Sequence, residues 1–147
     1  MRDASEVAAE LRLVVGQLVR RVRDDDPIPP GIIAVIGLLG RQGPMTTSEL
    51  AAARRVRPQS MARTVGQLID QGLAERGTHP VDGRKAPVSL TSAGLDVLEQ
   101  VRARRADWLA EAIEDTLSPS ERETLASTVD LVRRLVDWEP PGPGRGT

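Results

Sequence analysis

Two helix breaks only a few turns apart, with a doubly capped helix start between them, leave residues 43–76 few ways to fold. Gln42-Gly43-Pro44 ends whatever helix precedes it, because proline has no N–H to donate and glycine tolerates the turn. Thr46 then stands three residues before Glu49. At that spacing the hydroxyl accepts from a free backbone amide of the first turn and the carboxylate reaches back to the cap's own amide. The helix that starts there, Thr47 to about Ala53, turns Leu50 inward and stops at Arg54-Arg55-Val56-Arg57. Pro58 suits the first position of a new helix, expected over about 58–71, with Met61, Val65, Leu68 and Ile69 toward a core. Gly72 falls where a left-handed residue closes a helix. Two helices joined by a short turn, the second longer and edged with polar side chains, form the helix-turn-helix pattern.

The flanks extend it. Leu73-Ala74-Glu75-Arg76 and Ala86-Pro87-Val88-Ser89-Leu90 read as two short strands around the turn-rich GTHPVDGRK. Such a hairpin appended to a helix-turn-helix is a wing, here about 77–86. Pro87 inside the second strand suits an edge strand, consistent with a small wing. Upstream, Val7, Leu11, Val14, Val15, Leu18 and Val22 repeat at three- and four-residue steps, predicting a helix from about Ala4 to Arg23. DDDPIPPG breaks it. A short helix from about Gly31 to Arg41 is apolar nearly all round, as a buried element is. Downstream, Thr91 or Ser92 caps a long helix reaching Leu117. Ser118, with Pro119 and Glu121 behind it, starts a last helix to about Trp138. The tail EPPGPGRGT has a composition that resists ordering.

Composition narrows the chemistry. The chain has no Phe, no Tyr, no Cys and one His, His79; its two aromatic side chains are Trp108 and Trp138. The core must therefore be aliphatic, and no aromatic platform exists for stacking unpaired bases. Thiol redox sensing, disulfides and thiolate metal sites are excluded, and one histidine cannot build a His-rich site. No nucleophile–base pair, metal spacing or phosphate loop is present, so no enzyme, cofactor or metal is expected. Acidic pairs such as Asp24–Asp26 and Glu114–Asp115 read as solvated helix ends. His79 reads as an exposed loop residue. No segment is long and apolar enough for a membrane span or a signal peptide, and a cytoplasmic protein is expected. The charge is divided: residues 41–86 hold eight bases (Arg41, Arg54, Arg55, Arg57, Arg63, Arg76, Arg84, Lys85) against four acids (Glu49, Asp70, Glu75, Asp82), within a net charge of −1 overall. A basic centre between acidic flanks suits a phosphate reader with a separate assembly scaffold.

Residues 46–94 resemble the core of MarR-type (multiple antibiotic resistance regulator) repressors. The matching motifs are Ser48-Glu49-Leu50-Ala51, Arg63, Gly72-Leu73-Ala74-Glu75-Arg76, Asp82-Gly83-Arg84 and Leu90-Thr91-Ser92-Ala93-Gly94. Gln59, Met61 and Pro87 depart from the family's commoner residues, and the second helix lacks its usual aromatic. The resemblance implies a mainly α fold with a small β-hairpin wing. Its parts would be a dimerisation helix over 1–26, a winged helix-turn-helix over 27–91, dimerisation helices over 92–138 and a disordered tail over 139–147. It implies a homodimer on double-stranded DNA, with a small aromatic or phenolic effector held between the dimer helices and the winged domain.

On the second helix of the motif, Gln59, Ser60, Arg63, Thr64 and Gln67 lie opposite the Met61–Val65–Leu68 stripe and can face a major groove. Arg63 suits guanine and Gln59 adenine. Arg57 and Pro58 stand at the start of the helix. On a strand, Asp82 and Arg84 would project to one side. The resemblance implies Arg84 in the minor groove, with Asp82 orienting it or the wing backbone; Lys85, by its charge, reads as a phosphate contact. Val7, Leu11, Trp108, Leu109, Ile113, Leu125, Val129 and Val132 are the expected dimer contacts. The competing function is a winged-helix protein-interaction module that does not bind DNA.

Overall fold

The computed structural model describes residues 1–78 and 81–140, with Arg84 described by its backbone. The elements run α1 (Ala4–Asp24), α2 (Pro30–Gln42), α3 (Thr47–Arg54), α4 (Pro58–Asp70), β1 (Ala74–Arg76), β2 (Val88–Leu90), α5 (Ser92–Thr116) and α6 (Pro119–Val136). The chain divides into two compact units, Met1–Asp107 and Trp108–Thr147. Among the described residues no helix is long and apolar enough to cross a membrane. The expectations for His79 and for residues 141–147 lie outside the described residues.

The first unit is closed around an aliphatic core, as the lack of Phe and Tyr requires. Val35 and Ile36 of α2, Leu50 of α3, Val65 and Leu68 of α4, and Val88 of β2 are all at most 1% exposed. The all-round apolar α2 is the central element, with buried side chains from Ile32 to Leu39. It passes so close to α5 that a Cβ on Gly40 would lie 2.4 Å from Leu98.

The wing is a two-stranded antiparallel sheet with Ala74 opposite Leu90 and Arg76 opposite Val88. The wing departs from the expected hairpin at two points. The second strand starts at Val88, after Pro87 rather than through it. Proline has no ladder donor, but its carbonyl accepts from Gly77 N–H at 2.7 Å. The segment carrying Asp82 and Arg84 is also not a strand. Gly83–Lys85 is a 3-10 turn, held by Lys85 N–H to the Asp82 carbonyl at 3.0 Å, so the two-residue alternation of a strand does not apply to that pair. The sheet has a third participant that the sequence did not announce: Met45 exchanges two backbone hydrogen bonds with Val88, at 3.0 and 2.7 Å.

Helix ends follow their chemistry. Thr46 and Glu49 form the expected reciprocal box, at 3.1 and 3.3 Å, and Ser118 and Glu121 form a second one in the second unit. There the Ser118 backbone N–H, and after it the Ser118 hydroxyl, donate to the Glu121 carboxylate and hold it below the ordinary carboxylate range. Thr91 is the residue that caps α5. Its hydroxyl accepts from Gly94 N–H at 3.2 Å and donates to the Gly72 carbonyl at 2.6 Å.

Candidate nucleic-acid interface

The turn between α3 and α4 depends on one strained residue. Arg55 has φ 54° and ψ 42°, the left-handed region that costs a side-chain-bearing residue about 1 kcal/mol or more. Its N–H and that of Val56 satisfy the last carbonyls of α3, those of Ala52 and Ala51. The chain then leaves through Arg57, extended at φ −66° and ψ 143°, into Pro58 at the first position of α4. Arg54, Arg55 and Arg57 are all exposed, so the turn is a basic knuckle at the start of the helix.

α4 is split lengthwise. Met61, Val65 and Leu68 are at most 3% exposed, whereas Pro58, Gln59, Ser60, Arg63 and Gln67 are exposed. Thr64 is half-buried, and its hydroxyl donates back to the Ser60 carbonyl at 3.2 Å. Only that hydroxyl's acceptor side remains for an outside donor. The apolar stripe fixes the rotation of α4 about its axis and so determines which side chains meet solvent.

The connection to the wing is equally constrained. Gly72, at φ 72°, reverses the chain after α4, and Leu73 N–H returns to the Leu68 carbonyl at 2.9 Å. A Cβ on Gly94 would stand 2.0 Å from the Leu73 carbonyl oxygen, so only glycine permits α5 to start against this turn. The Leu-Thr-x-x-Gly motif is therefore a joint that locks α4, the wing and α5 together. On the other side, Arg76 donates to Thr47 Oγ1 at 3.3 Å, tying β1 to the start of α3. In the wing Lys85 is exposed and Asp82 half-buried.

The expected dimer contacts belong to helices with little or no core of their own. α1 and α6 bury no residue at all. Val7 and Val129 are 46% and 47% exposed, while Leu11, Trp108, Leu109, Ile113, Leu125 and Val132 are half-buried. One acid departs from its expected role. Asp26 is not a solvated helix end: its side chain is 7% exposed and paired with Arg105. A sequence-local reading misses this pair because its partners are separated by 79 positions.

A MarR-family profile matches residues 29–85, the helix-turn-helix and most of the wing. An HTH-type transcriptional regulator of Mycobacterium bovis is 38% identical over 139 residues, covering 92% of this chain and 96% of that protein. A Pseudomonas aeruginosa protein assigned as a transcriptional regulator has a crystal structure that superposes with a TM-score of 0.78 at 36% identity, over 92% of this chain and 96% of that one. A mutant of S. aureus MepR, bound to an oligodeoxyribonucleotide, shares the fold at 16% identity, with a TM-score of 0.63 over 89% of this chain and 98% of that one.

Proposed function

Since this chain belongs to the MarR family of transcriptional regulators and carries their DNA-binding winged helix, we propose that it is a homodimeric repressor acting on cytoplasmic DNA at a pseudo-palindromic operator. α4 enters the major groove, where Gln59, Ser60, Arg63, Thr64 and Gln67 meet base edges and backbone. Arg57 and Pro58 bring the start of the helix against the phosphates. The wing lies over the adjacent minor groove with Arg84 in it, Asp82 orienting the turn and Lys85 on a phosphate. Two copies pair through Val7 and Leu11 of α1, Trp108, Leu109 and Ile113 of α5, and Leu125, Val129 and Val132 of α6. That pairing sets the two recognition helices roughly 34 Å apart, one turn of DNA. A small molecule that prefers the DNA-incompetent state releases the operator.

The observation that carries this proposal is the lengthwise division of α4: a buried stripe of Met61, Val65 and Leu68, and an opposite face of exposed amide and guanidinium groups. Side chains of that type match the donor and acceptor pattern of the major groove, and the surrounding Arg54, Arg55 and Arg57 supply charge for phosphates. Selection of bound genomic fragments with purified protein returns the operator. On that operator Arg84→Ala is expected to weaken binding about tenfold or more at fixed salt, as loss of a minor-groove arginine should. Unchanged affinity would remove the wing from the interface.

A further inference from the structure

Within the first unit, the end of α1, the connection after it, α2, the end of α3 and the first half of α5 enclose a cleft of about 240 Å³. Its lining is unusual in charge: Arg23, Arg41, Arg54, Arg102 and Arg105 face it, with Asp26 as the sole carboxylate among the lining residues. Arg105 holds that carboxylate side-on, Nε to Oδ1 at 3.2 Å and Nη2 to Oδ2 at 2.6 Å. Arg102 pairs outward with Glu99 at 2.9 Å. Among the described residues, Arg23, Arg41 and Arg54 have no carboxylate partner. Arg41 folds back over Gly37, where an added Cβ would stand 3.3 Å from its Nη1, so the missing side chain of Gly37 leaves room for this guanidinium at the cleft wall.

With Arg105 matched to Asp26 and Arg102 to Glu99, the lining is left with three arginines, Arg23, Arg41 and Arg54, whose charge no carboxylate among the described residues offsets, and a multivalent anion supplies that charge. Guanidinium forks match carboxylate and phosphate oxygens two at a time. The cleft is smaller than the ~300–1,000 Å³ usual for drug-sized ligands, and no aromatic ring lines it. A phenolic effector, implied by the family resemblance, would find no stacking partner here and, even as a phenolic acid such as salicylate, would bring only one carboxylate to offset the excess positive charge.

We propose that this cleft binds a small polyanion, a di- or tricarboxylate or a phosphorylated metabolite, which competes with Asp26 for Arg105. This rests on the regulator function proposed above and gives its effector a chemical class. Displacing Asp26 unfastens the connection between α1 and α2 from α5. Engaging Arg54 acts on the residue just ahead of the turn into α4. By linkage, an anion that weakens DNA affinity is itself bound more weakly when DNA is present.

The test uses the full chain, first without DNA. Isothermal titration with citrate and with pyrophosphate, at matched ionic strength, is expected to show saturable binding of one per chain by at least one of them, and none by salicylate. Citrate alone binding assigns a polycarboxylate, and pyrophosphate alone a phosphorylated ligand. Arg41→Gln, with Arg23→Gln as an independent second variant, should weaken binding about tenfold, the scale of one lost charge-assisted hydrogen bond. Asp26→Asn should tighten it by removing the internal competitor. Three results would overturn the site: no saturable binding of either oxyanion, salicylate binding in their place, or arginine variants that bind oxyanion as before. Equal or weaker binding by Asp26→Asn would overturn the competition with Arg105. If Arg41→Gln instead weakened operator binding and lowered its salt dependence while no anion bound, the arginines would serve DNA phosphates and the site would be lost. Because titration is done without DNA, operator binding by the wild-type chain remains a separate readout, and failure of one leaves the other standing.

Discussion

The body formed by α2, α3, α4 and the wing differs from the two terminal helices in how completely each is satisfied by its own chain. The body closes on side chains that are at most 1% exposed. α1 and α6 bury nothing yet carry exposed aliphatic side chains: Val14 at 51% and Leu18 at 42% on one, Leu131 at 56% and Leu135 at 62% on the other. Both kinds of segment have an apolar helical period. In the body the period is consumed by folding; in the terminal helices it is left uncovered by the chain itself, as the proposed pairing of two copies requires. If two copies pair as proposed, folding and assembly draw on different parts of the chain and can be attacked separately.

The largest effect is expected from the body. Leu68→Ala removes a fully buried side chain and should cost about 2–5 kcal/mol, read by chemical denaturation. A loss under about 1 kcal/mol would mean that the core is not close-packed there. Next come Val14→Asp and Val129→Asp, which place a carboxylate in each exposed stripe. Each should raise the dimer dissociation constant roughly a hundredfold or more, because burying an unpaired charge is prohibitive. Sedimentation velocity would follow the dissociation, with far-UV circular dichroism unchanged. Dimers that survive both substitutions would break the comparison.

The smallest effect concerns the second capping box. Glu121 is held below the ordinary carboxylate range by Ser118. Its contribution to stability is thus fully present above the unfolded-state value and lost as pH falls through the lower folded-state value. Ser118→Ala should move the Glu121 titration, followed by NMR, partway up toward the ordinary range and lower Tm by no more than a few degrees. An unmoved titration would show that the hydroxyl contributes nothing beyond the backbone N–H.

Much of the fold was legible because its signals are local. The Thr46–Glu49 box, Pro58 at a helix start and the Met61–Val65–Leu68 stripe each act within one or two turns, and the helices they predict are present. What escaped was either non-local or dependent on finer backbone detail. Nothing near Met45 announces its bridge to Val88, 43 positions away in sequence. Asp26 reads as solvated until Arg105 is brought to it through the folding of α5 against α2. The wing misled more subtly: turn residues mark where a hairpin reverses, but not that Gly83–Lys85 would coil into a 3-10 turn and so spoil the alternation expected for Asp82 and Arg84. For the recognition face, periodicity placed Gln59, Ser60, Arg63 and Gln67 on the solvent side. It could not show that Thr64 spends its hydroxyl proton on its own helix.

The most direct measurement compares affinity for the selected operator with that for a scrambled duplex of equal length, at one salt concentration, for the wild-type chain and for Gln59→Ala/Arg63→Ala. The expected result is a specificity ratio that falls by about tenfold or more while scrambled-duplex binding changes far less. An unchanged ratio would contradict the assignment of the solvated face of α4 as the surface that reads DNA.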